Sequence, residues 1–139
     1  MTDSTPPPLG LALRHAHLRA ARVFAEELGP LGVENIVAGV LMHLGHLGPQ
    51  TQRQLVERVN SDKSAMVRYI DALEARGLVR REPHPTDRRA QLIVLTDAGR
   101  VLLAEVQEAA DRTEDRLTDH LTPEERELFH RLLVRFTYD

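Results

Sequence analysis

The chain contains no cysteine. Disulfides, thiolate nucleophiles, cysteine-ligated zinc and cysteine-based redox sensing are therefore excluded. Tryptophan is also absent, and aromatic residues make up only 4% of the 139 positions. That is too few for a platform on which single-stranded nucleic acid stacks. No apolar run approaches the roughly 20 residues of a membrane span; the longest, Ile36 to Met42, stops at His43. No basic stretch followed by an apolar segment opens the chain, so no secretory signal, no membrane partner and a cytoplasmic location are expected. What is present is ordinary for a globular domain: 42% hydrophobic and 28% charged residues. The length suits one domain, or one protomer of an oligomer, with a core that folds without staples.

A net charge of −3 would argue against a polyanionic partner if it were spread evenly. Between Gln50 and Arg100, however, 10 basic residues stand against 7 acidic ones, a bias of +3, while the remainder carries 8 basic against 14 acidic. Distribution matters more than the total when the partner is nucleic acid, although a bias of this size decides nothing by itself.

Residues 1–8, with Pro6, Pro7 and Pro8, read as a disordered tail. From Leu9 onward Leu13, Ala16, Ala20, Val23, Phe24 and Leu28 recur at helical steps, and Gly29-Pro30 ends the run. A second helix carries Val33, Ile36, Val37, Val40, Leu41 and Leu44 on one side and is expected to break at Gly45. A short helix over 50–59 is followed by Asn60-Ser61-Asp62, residues that turn the chain and cap the next helix. That helix, about 62–76, buries Met66, Ile70 and Leu73, and Gly77 stands where a left-handed cap residue is wanted. Leu78 is placed to touch Leu73 across the cap. Helix, polar turn, helix is a helix-turn-helix pattern, but also that of any helical hairpin. The β-prone runs 78–82 and 91–95 then enclose Pro83-His84-Pro85-Thr86-Asp87-Arg88-Arg89-Ala90, a proline-stiffened basic tip. They read as a hairpin, a wing beside the helix pair. Thr96 caps a long helix to about residue 120, and Thr122-Pro123-Glu124-Glu125 is a capping box opening a last helix with Leu128, Leu132, Leu133 and Phe136.

Three stretches together resemble the MarR family of winged-helix transcriptional regulators. They are Leu73-Glu74-Ala75-Arg76-Gly77-Leu78-Val79-Arg80-Arg81, then Asp87-Arg88-Arg89, then Leu95-Thr96-Asp97-Ala98-Gly99-Arg100. In order these are a leucine and glycine cap, a wing strand, a D-x-R tip and an L-T-x-x-G helix start. The resemblance spans about residues 9–137. It implies a mainly α chain with a small β-hairpin wing: a dimerisation helix over 9–32, a winged helix-turn-helix over 33–96 and dimerisation helices over 97–139. It also implies a homodimer with interleaved terminal helices, double-stranded DNA as partner, and a D-x-R pair in which Asp87 orients Arg89.

The residues fit that implication. At the start of the recognition helix, Ser61, Lys63, Ser64, Ala65, Val67 and Arg68 are the positions that reach base edges and phosphates in a major groove. Gln50, Thr51 and Gln52 open the preceding helix, where free N–H groups suit a phosphate or simple capping. Arg88 and Arg89 at the wing tip suit a narrow minor groove, with His84 and Arg81 adding phosphate contacts. The bland counterpart of each is a solvated helix face or a surface turn.

Many members of the family respond to a small, often aromatic acid, and here Arg14, His17, His43 and His46 are the candidates for such a ligand. The seven histidines raise a metal-responsive reading, but no H-E-x-x-H motif is present and no cofactor is expected. Enzymatic chemistry lacks a G-x-S-x-G nucleophile, a phosphate loop or an isolated carboxylate pair. A helical dimer acting as an adaptor is the remaining alternative, but it has no use for a basic wing.

Overall fold

The computed structural model describes residues 5–139. The first half of the expected tail, residues 1–4, lies outside the described residues, and residues 5–8 run exposed and irregular into the first helix.

Helix α1 (Leu9–Leu28) ends in a single 3₁₀ turn (Gly29–Leu31). Gly32 then takes a left-handed conformation (φ +65°) and turns the chain into α2 (Asn35–Leu47). This helix runs through Gly45 rather than breaking there. The glycine has a packing role instead: a Cβ at that position would collide with the Leu103 side chain of a neighbouring helix. Gln50–Thr51 forms a two-residue strand, β1, followed by α3 (Gln52–Arg58) and α4 (Lys63–Ala75). Strands β2 (Val79–Pro83) and β3 (Gln91–Leu95) form the hairpin, and α5 (Asp97–Leu117) and α6 (Pro123–Tyr138) complete the chain. Among the described residues no single helix is long and apolar enough to cross a membrane.

The sheet order is β1-β3-β2, antiparallel throughout. The expected hairpin is thus a three-stranded sheet with β2 at one edge. In the sequence Gln50–Thr51 reads as a helix start, because two residues are too few to show a period-2 pattern. Leu41, Leu55, Met66, Ile70, Leu73, Val79 and Ile93 are almost fully buried in one core shared by the helix-turn-helix and the sheet.

The corners are specified chemically. Asn60 turns between α3 and α4 in the left-handed region (φ 51°), which asparagine tolerates better than most residues. The Asp62 carboxylate accepts from the Ala65 N–H (2.8 Å) and caps α4. At the far end Gly77 (φ +72°) forms a Schellman cap: Leu78 N–H donates to the Leu73 carbonyl and Gly77 N–H to that of Glu74, both at 2.9 Å. Thr96 Oγ1 accepts from the Gly99 N–H (3.1 Å) and donates to the Gly77 carbonyl (2.6 Å). A Cβ on Gly99 would strike the Leu78 carbonyl oxygen. The L-T-x-x-G sequence is therefore a packing device that seats the start of α5 on the α4–β2 corner.

Helix α5 buries Leu102, Leu103, Val106, Ala109 and Thr113 within its own protomer, against α1 and α2. Of the two helices that the resemblance assigns to dimerisation over 97–139, α5 thus has an apolar stripe covered within the chain itself. Ion pairs secure the packing, with Glu27 bound to Arg112 (2.9 Å) and Arg116 (3.2 Å). Chiefly through the hydrogen bond from Arg112, Glu27 is held below the ordinary carboxylate range. Arg126 at the start of α6 pairs with Glu114 and Asp115 of α5. Helix α6 is different: none of its residues is buried, and Leu128, Phe129, Leu132, Leu133 and Phe136 are 40–62% exposed.

Candidate nucleic-acid interface

Thr51 opens α3 with a full capping box: its hydroxyl accepts from the Gln54 N–H (3.1 Å) and its own N–H donates to Gln54 Oε1 (2.8 Å). Gln52 follows at the first helical position. Gln50 belongs to β1 and is buried, its Nε2 donating to the Pro49 carbonyl (2.9 Å). This corrects its expected place at an exposed helix start: the side chain is turned into the fold, away from any phosphate.

On α4, Lys63, Ser64 and Arg68 are exposed and Val67 is half-buried, so these four share the outward face. Ser61 lies just before the Asp62 cap, partly exposed. Ala65 is only 7% exposed. It packs inward, which corrects its expected place among the residues that reach base edges, because a helix turns each successive residue by about 100°. Val67 is left as the apolar contact on that face.

At the wing tip Arg88 and Arg89 are exposed and, among the described residues, make no ion pair; nor do Lys63 and Arg68. Asp87 Oδ1 accepts from the main-chain N–H of Arg89 (2.9 Å), not from its guanidinium. The aspartate therefore shapes the loop beneath the arginine, and what contact it makes with Arg89 is through the main chain rather than side chain to side chain. His84 performs the matching task from the other side: Nδ1 accepts from the N–H groups of Thr86 (3.2 Å) and Asp87 (3.0 Å). That geometry requires an unprotonated Nδ1 and puts the proton on Nε2, which remains the only ring atom with which His84 can reach a phosphate.

Arg81 is engaged within the chain. Its guanidinium donates to Asp71 and to Glu74, both at 2.6 Å, and its side chain is 21% exposed. The expected phosphate contact thus meets a charge already bound twice. Sequence reading missed these two carboxylates. The available signal was a pair of acids at i and i+3 on α4, charges that a polyanionic partner would repel unless a cation of the chain covered them.

Thr51, Gln52, Lys63, Arg88 and Arg89 line one open cleft of about 1060 Å³ between the start of α3 and the wing. Arg53 lines it too, a cation the sequence reading passed over. The ligand candidates are not brought together in this way. Arg14 and His17 are exposed on α1, and His46 is exposed on α2. His43 is half-buried, and desolvation, with smaller contributions from the nearby Arg58 and His46, holds its pKa below the ordinary 6.5. Neither the wing cleft nor a 260 Å³ hollow between α2, β3 and α5 is lined by any of the four. Among the described residues no group of three metal-ligating side chains occurs.

Comparison with known proteins places these features in context. The model of the MarR family matches residues 31–90. A putative transcriptional regulatory protein for the hcr operon of Thauera aromatica is 30% identical over 128 residues, covering 91% of this chain and 77% of the relative. MarR of E. coli superposes in its apo form with a TM-score of 0.88 at 26% identity, covering 96% of this chain and 99% of that one. A mutant of the same protein complexed with operator DNA gives 0.79 at 27% identity, covering 94% of each chain. Bordetella bronchiseptica BpsR, whose DNA binding is regulated by 6-hydroxynicotinic acid, gives 0.81 at 27% identity, covering 94% of this chain and 99% of that one.

Proposed function

This chain belongs to the MarR family of transcriptional regulators, and from that premise we propose that it is a homodimeric repressor of a pseudo-palindromic operator in double-stranded DNA. The observation that carries the reading is a group of cations left unpaired on α4 and the wing. Lys63 and Arg68 on α4 and Arg88 and Arg89 on the wing tip lack carboxylate partners among the described residues, and Lys63 and both wing arginines border the cleft. Helix α4 enters the major groove with Lys63, Ser64, Val67 and Arg68, while the wing reaches the flanking minor groove. Thr51, Gln52 and Nε2 of His84 take phosphates, which set register without reading sequence.

The second copy is called for by α6. A helix with six large apolar side chains 40–62% exposed and no buried residue needs a covering surface, and an isologous dimer supplies it from an identical helix. On this reading 9–32 and 97–139 include the dimerisation segments and 33–96 the DNA-binding lobe. Two-fold symmetry then sets half-sites about one helical turn apart, roughly 34–36 Å. The dimer acts in the cytoplasm, where such an operator is accessible.

A small aromatic acid as releasing ligand belongs to the same proposal, supported by the precedent of BpsR. Arg14, His17, His43 and His46 are its candidate contacts, and because two of the four are on the exposed face of α1, the site is completed by the second copy. A thermal-shift screen of aromatic carboxylates checks it: a ligand at 100 times its Kd adds about 2.7 kcal/mol. The main proposal is tested by mobility shift on DNA upstream of the protein's own gene at two salt concentrations. Retarded complexes with steep salt dependence support it; no retardation at low salt overturns it.

A further inference from the structure

Resting on the DNA-binding reading, we infer that Arg81 is a positioning residue that locks the wing to the recognition helix, with Asp71 and Glu74 as its two anchors. The geometry is that of a clamp between separate elements. Arg81 lies in β2 opposite Ile93, the third of five pairs in the β2–β3 ladder. Both carboxylates belong to α4, and each takes one nitrogen of the guanidinium at 2.6 Å. At 21% exposure the Arg81 side chain is better shielded than those of its partners, at 59% and 43%. Isolated surface ion pairs hold a geometry weakly, but a planar fork gripped from two sides is directional.

The location makes the clamp consequential. β3 is supported on both sides, by β1 at Gln50 and Thr51 and by β2, whereas β2 is an edge strand. Its base is fixed by the Gly77 cap and by Thr96. Beyond Arg81 only the pairs Glu82–Leu92 and Pro83–Gln91 remain before the basic loop. Two-stranded ribbons twist readily, so a tie at mid-strand governs where Arg88 and Arg89 point. On the helix side Asp71 stands seven residues after Ser64, which brings it back onto the same outward stripe. The clamp therefore sets the spacing between the major-groove reader and the minor-groove reader. It also accounts for two acids on a face otherwise turned toward polyanionic DNA.

The sign of one substitution separates this role from ordinary electrostatics. Removing two negative charges from a DNA-facing surface strengthens binding by charge alone; releasing the clamp weakens specific binding. The test compares wild type, R81Q, D71A/E74A and the triple variant. The probes are a duplex selected by the wild-type protein from a random-sequence pool, and poly(dI-dC), each across a salt series. Alanine is a good helix former, so D71A/E74A keeps α4 intact even if R81Q folds poorly.

D71A/E74A is expected to bind the selected duplex about tenfold more weakly, about 1.4 kcal/mol, while holding poly(dI-dC) at least as well as wild type. The triple variant is expected to be no weaker than D71A/E74A, and R81Q to keep the wild-type salt slope. Equal or tighter specific binding by D71A/E74A, or a slope reduced by about 0.9 for each Arg81 removed, makes Arg81 a phosphate ligand and overturns the clamp. Amide exchange over residues 84–90 without DNA provides an independent arm. Faster exchange in R81Q and D71A/E74A supports the clamp and unchanged exchange refutes it. A wild-type protein that selects no duplex sinks the DNA-binding reading alone, because exchange still reports on the tie between wing and helix.

Discussion

Replacing Arg88 and Arg89 together by glutamine should remove about half of the salt dependence of operator binding while leaving the fold untouched. Both side chains are exposed, and among the described residues neither guanidinium has a partner within the chain. The folded protomer therefore loses no ion pair among the described residues. Among the described residues, four cations per protomer at the proposed interface have no ion-pair partner: Lys63, Arg68, Arg88 and Arg89. At about 0.9 counterions per neutralised phosphate, the eight of a dimer give a log–log slope near −7. Removing four of them brings it to about −3.6. Raising salt fourfold, from about 50 to 200 mM, then costs the wild type about 10⁴ in affinity and the variant about 10². Fluorescence anisotropy of a labelled operator duplex at five or so salt concentrations measures both slopes directly. An unchanged slope with unchanged circular dichroism would mean that the wing tip does not touch the phosphate backbone, and the argument from free cations fails with it.

Leu132→Glu places a charge on a side chain 48% exposed in the protomer. It should therefore spare the protomer's own core but abolish dimerisation, read as a halved mass by sedimentation; a native-mass dimer contradicts the α6 interface. Gly99→Ala forces a Cβ against the backbone oxygen of Leu78 and should cost about 1–3 kcal/mol of stability by denaturant titration. A neutral result would mean that α5 is free to shift. His43 carries a pKa below 6.5, chiefly through desolvation. The unfolded chain thus binds the proton more tightly, and stability should decline as pH falls below 6.5, levelling off once the folded-state group is also protonated. His43→Gln should flatten that part of the stability–pH curve, and an identical profile for variant and wild type excludes His43 as its source.

Local chemistry carried most of the architecture. The Gly77 cap, the capping boxes at Thr51 and Thr122, and the Asp62 and Thr96 caps act over a few residues through donors and acceptors named by side-chain type. They punctuate helices whose apolar period is itself local. The order of elements, the basic wing and the resemblance carried by 73–81, 87–89 and 95–100 were legible for the same reason. Errors arose where a residue's fate depends on something distant. Gly45 reads as a helix break until Leu103, 58 positions away, is seen against it. Gln50 reads as a helix start until β3 pairs with it.

The candidate site divides along the same line. That Lys63, Ser64, Arg68, Arg88 and Arg89 stand outward follows from helical phase and from an exposed, proline-flanked loop, both properties of consecutive residues. Which arginine remains available to a partner does not. Arg81 and Arg89 are alike as letters in a basic stretch, yet one is bound to two carboxylates on α4 and the other, among the described residues, makes no ion pair. Side-chain charge is written in the sequence, but its neutralisation is a distance between elements. Only the docking of the β2–β3 edge onto α4 brings those groups within hydrogen-bond reach.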